Sequence, residues 1–491
     1  MPPPVFTTVS IEEAKTPLIH PESVPLCVDL DGTLIKSDTF QDSLLLLVRT
    51  HPARLLAVAR LLPRGRARLK QEIARQTTLD INHLPWNKAV LRLLRDQRSL
   101  GRTILLVTGA DRSLAERVAS HLRCFDRVIA SDGERNLTGC RKLAVLQKLF
   151  PAFDYIGNAR IDLPLLTHAR HAFLANPTHR LRRALARANV PVKATLLDRA
   201  PLRASLLSTL RLHQWAKNLL LLLPLLLSHR LTPHGLIHGA LALVAFGCAA
   251  SACYVLNDLL DIDNDRRHRH KRLRSFASGE LGVVDGILLV MALLIGSALL
   301  LPLLPAAFAI WLAIYIAATT LYSLWLKRIA IADVLLLAGL YTLRLYAGGA
   351  ATQTPISPWL AVFALFFFLA LALVKRLNEL EILRQQGSTR TPGRGYRVAD
   401  IVAIGSLEAA SACAALAVFA AYITHPNAEL LYPHAARLWL ALPPLGLWLL
   451  RMGLLAWRGE LDEDPVLFAL RDRLSPLLGL LVVLLTVFAA F

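Results

Sequence analysis

Apolar residues are distributed in two ways along this chain, and the change falls near residue 205. Before it they come as short runs, each ending in turn residues: Val24–Leu30, Thr103–Val107, Arg127–Ala130 and Phe153–Ile156. Runs of that length predict buried strands of a parallel sheet, with Lys142 opening a helix between the last two. A polar-rich helical insert, from Phe40 to Arg98, separates the first strand from the second. After residue 205 the apolar runs lengthen, lying near 217–228, 236–256, 281–303, 306–326, 330–350, 358–374, 400–423, 436–455 and 474–490. They predict nine membrane helices, several of them shorter than about twenty residues. Between the two modes, Arg180, Arg182, Arg183, Arg187 and Lys193 alternate with Leu181, Leu185, Val190 and Val192. That pattern predicts a basic amphipathic segment on the cytoplasmic leaflet, with a plain solvated linker as the alternative. The expected organisation is a short disordered tail over 1–25, an α/β domain over 26–180, a linker over 181–205 and an all-α membrane domain over 206–491.

Composition sharpens this picture. The 491 residues are 55% hydrophobic, too apolar for one soluble domain and long enough for two. Lys and Arg number 55 against 35 acids, a formal charge of +20. No nucleic-acid-binding motif accompanies the excess, so nucleic acid is not expected as a partner. Positive loops beside an anionic leaflet, together with phosphorylated substrates, account for the charge better. Lys and Arg crowd the segments before the first run, at 266–274, at Lys327 and Arg328, from Lys375 to Arg397, and at Arg458, Arg471 and Arg473. The intervening loops carry almost none. The positive-inside rule then places the N-terminal half in the cytoplasm and Phe491 outside. The six cysteines show no Cys-x-x-Cys spacing, which gives no support for zinc or a disulfide framework. Met1 to Pro25 lacks the basic-then-apolar order of a signal peptide.

The densest chemistry lies between Asn257 and Arg274. Asp258, Asp261 and Asp265 stand at i, i+3 and i+7, a spacing that puts three carboxylates on one helical face. Clustered carboxylates repel unless a cation binds between them, and an all-oxygen set suits Mg²⁺. Arg266, Arg267, Arg269, Lys271, Arg272 and Arg274 follow at once as anion donors. A flank obeying the positive-inside rule would explain the basic residues but not the spaced aspartates. Asp333 and Arg344 are ionisable groups inside an apolar run, which are expensive and usually functional; a mutual ion pair is the alternative.

Asn257-Asp258-x-x-Asp261-x-x-x-Asp265 resembles the first aspartate motif of the UbiA superfamily of intramembrane prenyltransferases. The continuation through Arg266, His268, Lys271 and Arg274 looks like its polyprenyl (decaprenyl)-phosphate phosphoribosyltransferase branch. That branch usually has Pro where this chain has Arg269 and Ser275. The resemblance implies Mg²⁺ on Asn257, Asp258, Asp261 and Asp265, and phosphate binding by Lys217, Asn218, Arg266, Lys271 and Arg274. Tyr322, Lys327 and Asp333 resemble the second aspartate site, with Asp333 alone at its core. Arg344, Lys375, Arg376, Glu379, Arg394 and Tyr396, then Asp464-Pro465 through Asp472, resemble the same branch.

The first half carries its own resemblance. Asp29-Leu30-Asp31-Gly32-Thr33, then Thr108-Gly109, Lys142, and Gly157-Asn158 through Asp162 occur in order, as in the haloacid dehalogenase (HAD) phosphatases. This implies a Rossmann-like sheet with the helical insert as a cap. It implies Asp29 as phosphate-accepting nucleophile, Asp31 as general acid/base, and Thr108 and Lys142 on the phosphoryl oxygens. Mg²⁺ would lie on Asp29 and Asp31, with Asp162 orienting Lys142 or supporting the metal. Asn158 stands where a third carboxylate is usual. A fold kept as a scaffold is the alternative. The basic run Arg64, Arg66, Arg68 and Lys70 would face membrane, an anionic substrate or plain solvent.

Taken together, the expected activity is transfer of 5-phosphoribose from phosphoribosyl diphosphate to a polyprenyl phosphate, with the HAD half dephosphorylating the product. The alternatives are a prenyltransferase using prenyl diphosphate with an aromatic or lipid acceptor, and a membrane-anchored phosphatase.

Overall fold

The computed structural model describes residues 24–61, 63, 65–229, 231–389, 391, 394–461 and 465–491. Residues 1–23 of the expected tail, and Arg64 and Asp464, lie outside them. The chain divides into two compact units. One runs to Leu210 and includes Val255–Leu288; the other comprises Arg211–Tyr254 and Leu289–Phe491.

The first unit holds six strands: β1 (Leu26–Val28), β2 (Ile104–Asp111), β3 (Arg127–Ser131), β4 (Asp154–Gly157), β5 (Ala172–Ala175) and β6 (Val192–Leu196). All pair in parallel, in the order β3-β2-β1-β4-β5-β6. The order reverses between β1 and β4, and open α/β sheets bind ligands beyond the strand ends at such a switch point. β1 and β2 are buried throughout because helices cover both faces. Leu26, Val28, Ile104 and Leu106 enter one core and Cys27, Leu105 and Val107 the other, as a strand period of two requires.

Eight helices belong to this α/β framework: α1 (Thr39–Thr50), α2 (Arg54–Ala59), α3 (Arg66–Gln76), α4 (Lys88–Ser99), α5 (Arg112–Leu122), α6 (Cys140–Leu149), α7 (Leu163–His168) and α8 (His179–Arg187). The expected insert proves to be two things. α1 to α3 form a cap around their own small core of Leu47, Val58 and Ile73, whereas α4 lays Val90 and Leu94 onto the sheet.

The linker expected over 181–205 is corrected by the structure. Leu181 and Leu185 are buried in the second core, and Val192–Leu196 is a strand paired with β5. The apolar stripe of α8 thus meets a protein core rather than a leaflet. Only residues 197–201 separate β6 from the next helix.

The remaining helices are α9 (Leu202–Leu210), α10 (Leu223–Leu227), α11 (Pro233–Leu260), α12 (Ile262–Arg267), α13 (Val283–Leu300), α14 (Ala306–Leu324), α15 (Ala332–Thr352), α16 (Pro358–Gln385), α17 (Ile401–Ile423), α18 (Pro426–Leu431), α19 (Leu442–Arg458), α20 (Pro465–Arg471) and α21 (Leu474–Ala490). Among the described residues, seven helical stretches are long and apolar enough to cross a membrane. The nine expected from hydropathy are not reached. The first expected span is a 3₁₀ segment, Leu212–Leu222, followed by the five-residue α10, and the last is α21, with 17 residues. A close crossing accompanies that irregular first segment. A Cβ added at Gly348 of α15 would sit 2.0 Å from the carbonyl oxygen of Leu221, so only glycine fits there.

Candidate functional site

The chain leaves β1 at Val28 and turns at once, placing Asp29 and Asp31 at the sheet edge beside the switch point. Gly32 makes the turn with φ +73°, and a Cβ on it would collide with the Asn158 side chain, which comes from the loop after β4. Lys142, buried in the first turn of α6, donates to Asp29 Oδ1 at 2.7 Å and to the Tyr155 hydroxyl at 3.2 Å. That hydroxyl donates to Asp162 Oδ1 at 3.2 Å, and Asp162 Oδ2 accepts from the backbone N–H groups of Asn158 and Ala159. Tyr155, a residue that sequence reasoning left as core, thus bridges Lys142 and Asp162. Asp31 Oδ1 accepts from the Thr39 N–H at 2.8 Å. Thr108 is fully buried, its hydroxyl oxygen accepting from the Ala110 N–H at 3.0 Å. From the cap, Lys70 Nζ donates to the Gly109 carbonyl at 2.7 Å.

The electrostatics follow from burial. Asp29 is pushed up to about 6 by burial, with Lys142 opposing and Asp162 adding to the rise. Asp31 is pushed up to about 7 by burial and by the nearby carboxylate of Asp38. Burial would lower Lys142, but the surrounding carboxylates of Asp29, Asp162 and Asp31 outweigh it and raise it.

In the same unit, the first aspartate stretch departs from the single helical face that its spacing predicts. α11 ends at Leu260, and Asp261 is the N-cap of α12 with φ −98° and ψ 7°. Helical backbone bonds still run through the break, from Asp261 N–H to the Asn257 carbonyl and from Asp265 N–H to the Asp261 carbonyl. Arg274 Nη1 donates to Asp258 Oδ1 at 3.1 Å and to Asp265 Oδ2 at 2.8 Å, while Asp261 Oδ1 lies 3.7 Å from Arg49 Nε of α1. Burial raises Asp265 to about 6 despite Arg274. Arg266, expected on phosphate, is instead buried with Nη1 donating to Asp42 Oδ2 at 2.8 Å and Nε to the Ala277 carbonyl. Asn257 is half-buried just before Asp258, and Lys271 is half-buried on a 3₁₀ turn. Among the described residues, no group of three or more His, Cys, Asp or Glu side chains is gathered as a ready metal cage.

The second unit holds two further clusters. Asp333, in the first turn of α15, is fully buried. It accepts from the Tyr396 hydroxyl, lies 3.1 Å from Arg376 Nε and is 3.3 Å from Arg394 Nη1. Arg376 also pairs with Glu379, and Arg394 reaches the Tyr322 hydroxyl at 3.3 Å. Arg376 Nη2 is buried without a hydrogen-bond partner. Ile331, just before α15, has φ +67°, a conformation β-branched residues avoid, and its N–H donates to the Tyr396 hydroxyl at 2.9 Å. The alternative of an Asp333–Arg344 pair is not what forms. Arg344 donates to Asn218 Oδ1 at 3.3 Å and to the Tyr315 hydroxyl at 3.2 Å, and its guanidinium packs against the rings of Phe246, Tyr315 and Tyr341. Lys217 Nζ lies 6.0 Å from the Tyr341 ring centre, so Lys217, Asn218 and Arg344 share one neighbourhood. Lys327 sits on the 3₁₀ turn Leu326–Arg328, and Lys375 is half-buried next to Arg376 in α16.

Residues 219–489 match the model of the UbiA prenyltransferase family, which is more than half of the chain. This chain belongs to the UbiA prenyltransferase family. Residues 26–167 match the haloacid dehalogenase-like hydrolases, so the UbiA domain is C-terminal and a HAD-like domain N-terminal. An uncharacterized protein of Sinorhizobium fredii, y4nM, is 37% identical over 94% of this chain and 90% of its own length. A decaprenyl-phosphate phosphoribosyltransferase of Mycobacterium tuberculosis is 31% identical over 38% of this chain and 64% of its own, and such relatives support that branch. A UbiA homolog from Archaeoglobus fulgidus, solved with GPP and Mg²⁺, aligns at 17% identity with a TM-score of 0.44, covering 58% of this chain and 98% of that one. The seven apolar helices and the family make this an integral membrane protein.

UbiA and HAD proteins are generally Mg²⁺-dependent. In the HAD half the residues fit that ion. Asp29, Asp31 and the amide oxygen of Asn158 are all hard oxygen donors, and the two acids are held high enough in pKa that a cation would be welcome. In the UbiA half Asp258 and Asp265 are brought together on Arg274, and these two carboxylates could share an ion. Asn158 was legible as a departure. Tyr155, Tyr315 and Tyr341 were not, because aromatics at helical or strand spacing read as core, and Asp38 reads as a helix N-cap.

Proposed function

We propose that the UbiA half transfers 5-phosphoribose from phosphoribosyl diphosphate to a polyprenyl phosphate, and that the HAD half removes the 5-phosphate from the product. The observation that carries the transferase reading is the presence of two separate charged clusters in its residues, the first suited to hold phosphate through a cation and the second directly. One is the Asp258–Asp265–Arg274 set with Lys271 nearby; the other is the Asp333 set, where Arg376 keeps one buried N–H arm unpartnered. Two phosphorylated substrates call for two such clusters, whereas an aromatic acceptor calls for one. The name of the mycobacterial relative supports the same substrates.

In this reaction the anomeric C–O bond to diphosphate breaks and a bond forms to an oxygen of the lipid phosphate. Bound Mg²⁺ would screen charge on the departing diphosphate. Arg274 and Lys271 donate to its oxygens as charge builds, and Lys217 with Arg344 fixes phosphate in a water-poor setting where such donors act strongly. In the HAD half, Asp29 attacks the 5-phosphate and Asp31 gives a proton to the departing ribose oxygen; Asp31 then takes a proton from the water that hydrolyses the aspartyl-phosphate. Lys142 and Thr108 hold the phosphoryl oxygens. Loop charge supports a cytoplasmic HAD half and an external C-terminus.

The test is the product made by purified protein with phosphoribosyl diphosphate, polyprenyl phosphate and Mg²⁺, read by mass spectrometry. Wild type is expected to yield polyprenyl-phosphoryl-ribose, Asp29→Asn its 5-phosphorylated form, and EDTA neither. Consumption of prenyl diphosphate in place of phosphoribosyl diphosphate would overturn the transferase reading. The same phosphorylated product from wild type and Asp29→Asn would leave the HAD half without this role.

A further inference from the structure

α1 belongs to the cap, yet one of its faces is spent on the first aspartate stretch. Asp42, Leu45, Leu46 and Arg49 stand at i, i+3, i+4 and i+7, which is one stripe of a helix. Asp42 meets Arg266 in a pair that is almost wholly buried, and Arg49 meets Asp261. Between these charges Leu45 and Leu46 line a small cavity together with Leu259, Leu260 and Ile262. The charges are of opposite sense at the two ends of the stripe, acid to base and then base to acid, so the register of α1 on the loop is specified. A slip along the helix would bring like charges together.

The same helix is tied at its other end to the HAD site. Its first N–H group, on Thr39, donates to Asp31, its N-cap is Asp38, and Ser37 Oγ donates to Asp42 Oδ2 at 2.7 Å. The loop that follows the aspartates is fastened too. Lys36 Nζ bonds Glu280 at 2.7 Å, and Arg267 lies 3.2 Å from Asp80. We propose that α1 is a positioning element of the transferase, with Asp42 and Arg49, both contributed by the HAD half, holding the loop of Asp261, Asp265 and Arg266 in register for a Mg²⁺–diphosphate group. This rests on the reading of the aspartate stretch as a diphosphate site. Arg49 and Asp42 touch no reacting atom; they act through Asp261 and Arg266.

The experiment measures binding of inorganic pyrophosphate with Mg²⁺ to the full chain in detergent micelles by calorimetry, beside the melting temperature. Arg49→Gln and Asp42→Asn are each expected to weaken pyrophosphate about tenfold, the scale of one charge-assisted contact. Arg49→Gln should do so at an unchanged melting temperature, and Arg49→Lys should recover most of the affinity. Asp258→Asn must abolish the signal for it to belong to this stretch. Wild-type affinity in Arg49→Gln would overturn the proposal and reduce α1 to a packing contact, whatever becomes of the buried Asp42 variant. Absence of binding in wild type, or its survival in Asp258→Asn, would instead defeat the diphosphate reading and the proposal with it.

Discussion

The HAD site and the Asp333 cluster are both buried and both charged, but one carries a surplus of carboxylates and the other is matched. At the sheet edge, Asp29, Asp31, Asp38 and Asp162 gather around Lys142, with Lys70 at the rim. Around α15, two carboxylates, Asp333 and Glu379, face two guanidiniums, Arg376 and Arg394, and one buried N–H arm of Arg376 has no partner among the described residues. A surplus of carboxylates invites a cation, whereas a matched set is neutralised by its own pairs and leaves only the spare Arg376 N–H in want of an acceptor. Neither an uncompensated carboxylate surplus nor an unpartnered N–H is comfortable in a low-dielectric interior.

The largest expected effect comes from deleting the acid at the centre of the first site. Asp29→Asn should abolish phosphate release from a phosphomonoester while the chain still folds, as followed by free phosphate and by melting temperature. Activity surviving in that variant would break the comparison at its root. Next in size, Asp333→Ala leaves Arg376 in the interior with Glu379 as its remaining acid and should cost about 3 kcal/mol of stability, the low end for breaking a buried pair. The double variant Asp333→Ala, Arg376→Met should recover much of this in thermal unfolding, and equal loss in single and double variants would show that the pair is not the relevant unit. A smaller effect is expected at the aromatic-walled cation. Arg344→Gln should raise the KM for the lipid phosphate about tenfold with little change in kcat, since one charge-assisted phosphate contact is lost. Smallest of all, Asn158→Asp adds a third carboxylate to the acid-rich site and should lower the Mg²⁺ concentration for half-maximal hydrolysis several-fold. No shift in that titration would remove Asn158 from the metal's neighbourhood.

How far these sites were legible depends on how local their signals are. β1 to β4 and the residues at their ends could be read because each buried run is followed within a few positions by its chemistry. β6 could not: Val192–Leu196 carries Lys193 and lies at the sheet edge, so its burial pattern is mixed. The stripe of α8 was visible, but Leu181 and Leu185 look the same whether they face lipid or a sheet. The break at Asp261 has no glycine or proline to announce it. Contacts such as Asp42 to Arg266, 224 positions apart, leave no trace in local spacing. The nine-span count is unconfirmed among the described residues for a different reason: apolar composition is present at Leu212–Leu227 and at α21, but the length of regular helix is not.

The left-handed backbone at Ile331 has a consequence for how this protein tolerates mutation. A β-branched residue held at φ +67° costs on the order of 1–2 kcal/mol relative to an unstrained one. Ile331→Gly would relieve that cost, and a screen for thermostability would select it. Yet the strained peptide is what points its N–H at the Tyr396 hydroxyl, which in turn holds Asp333. A relaxed chain would be free to turn that N–H away. Stability selection at this position therefore runs against the hold on Asp333, the residue around which the proposed phosphate site is built.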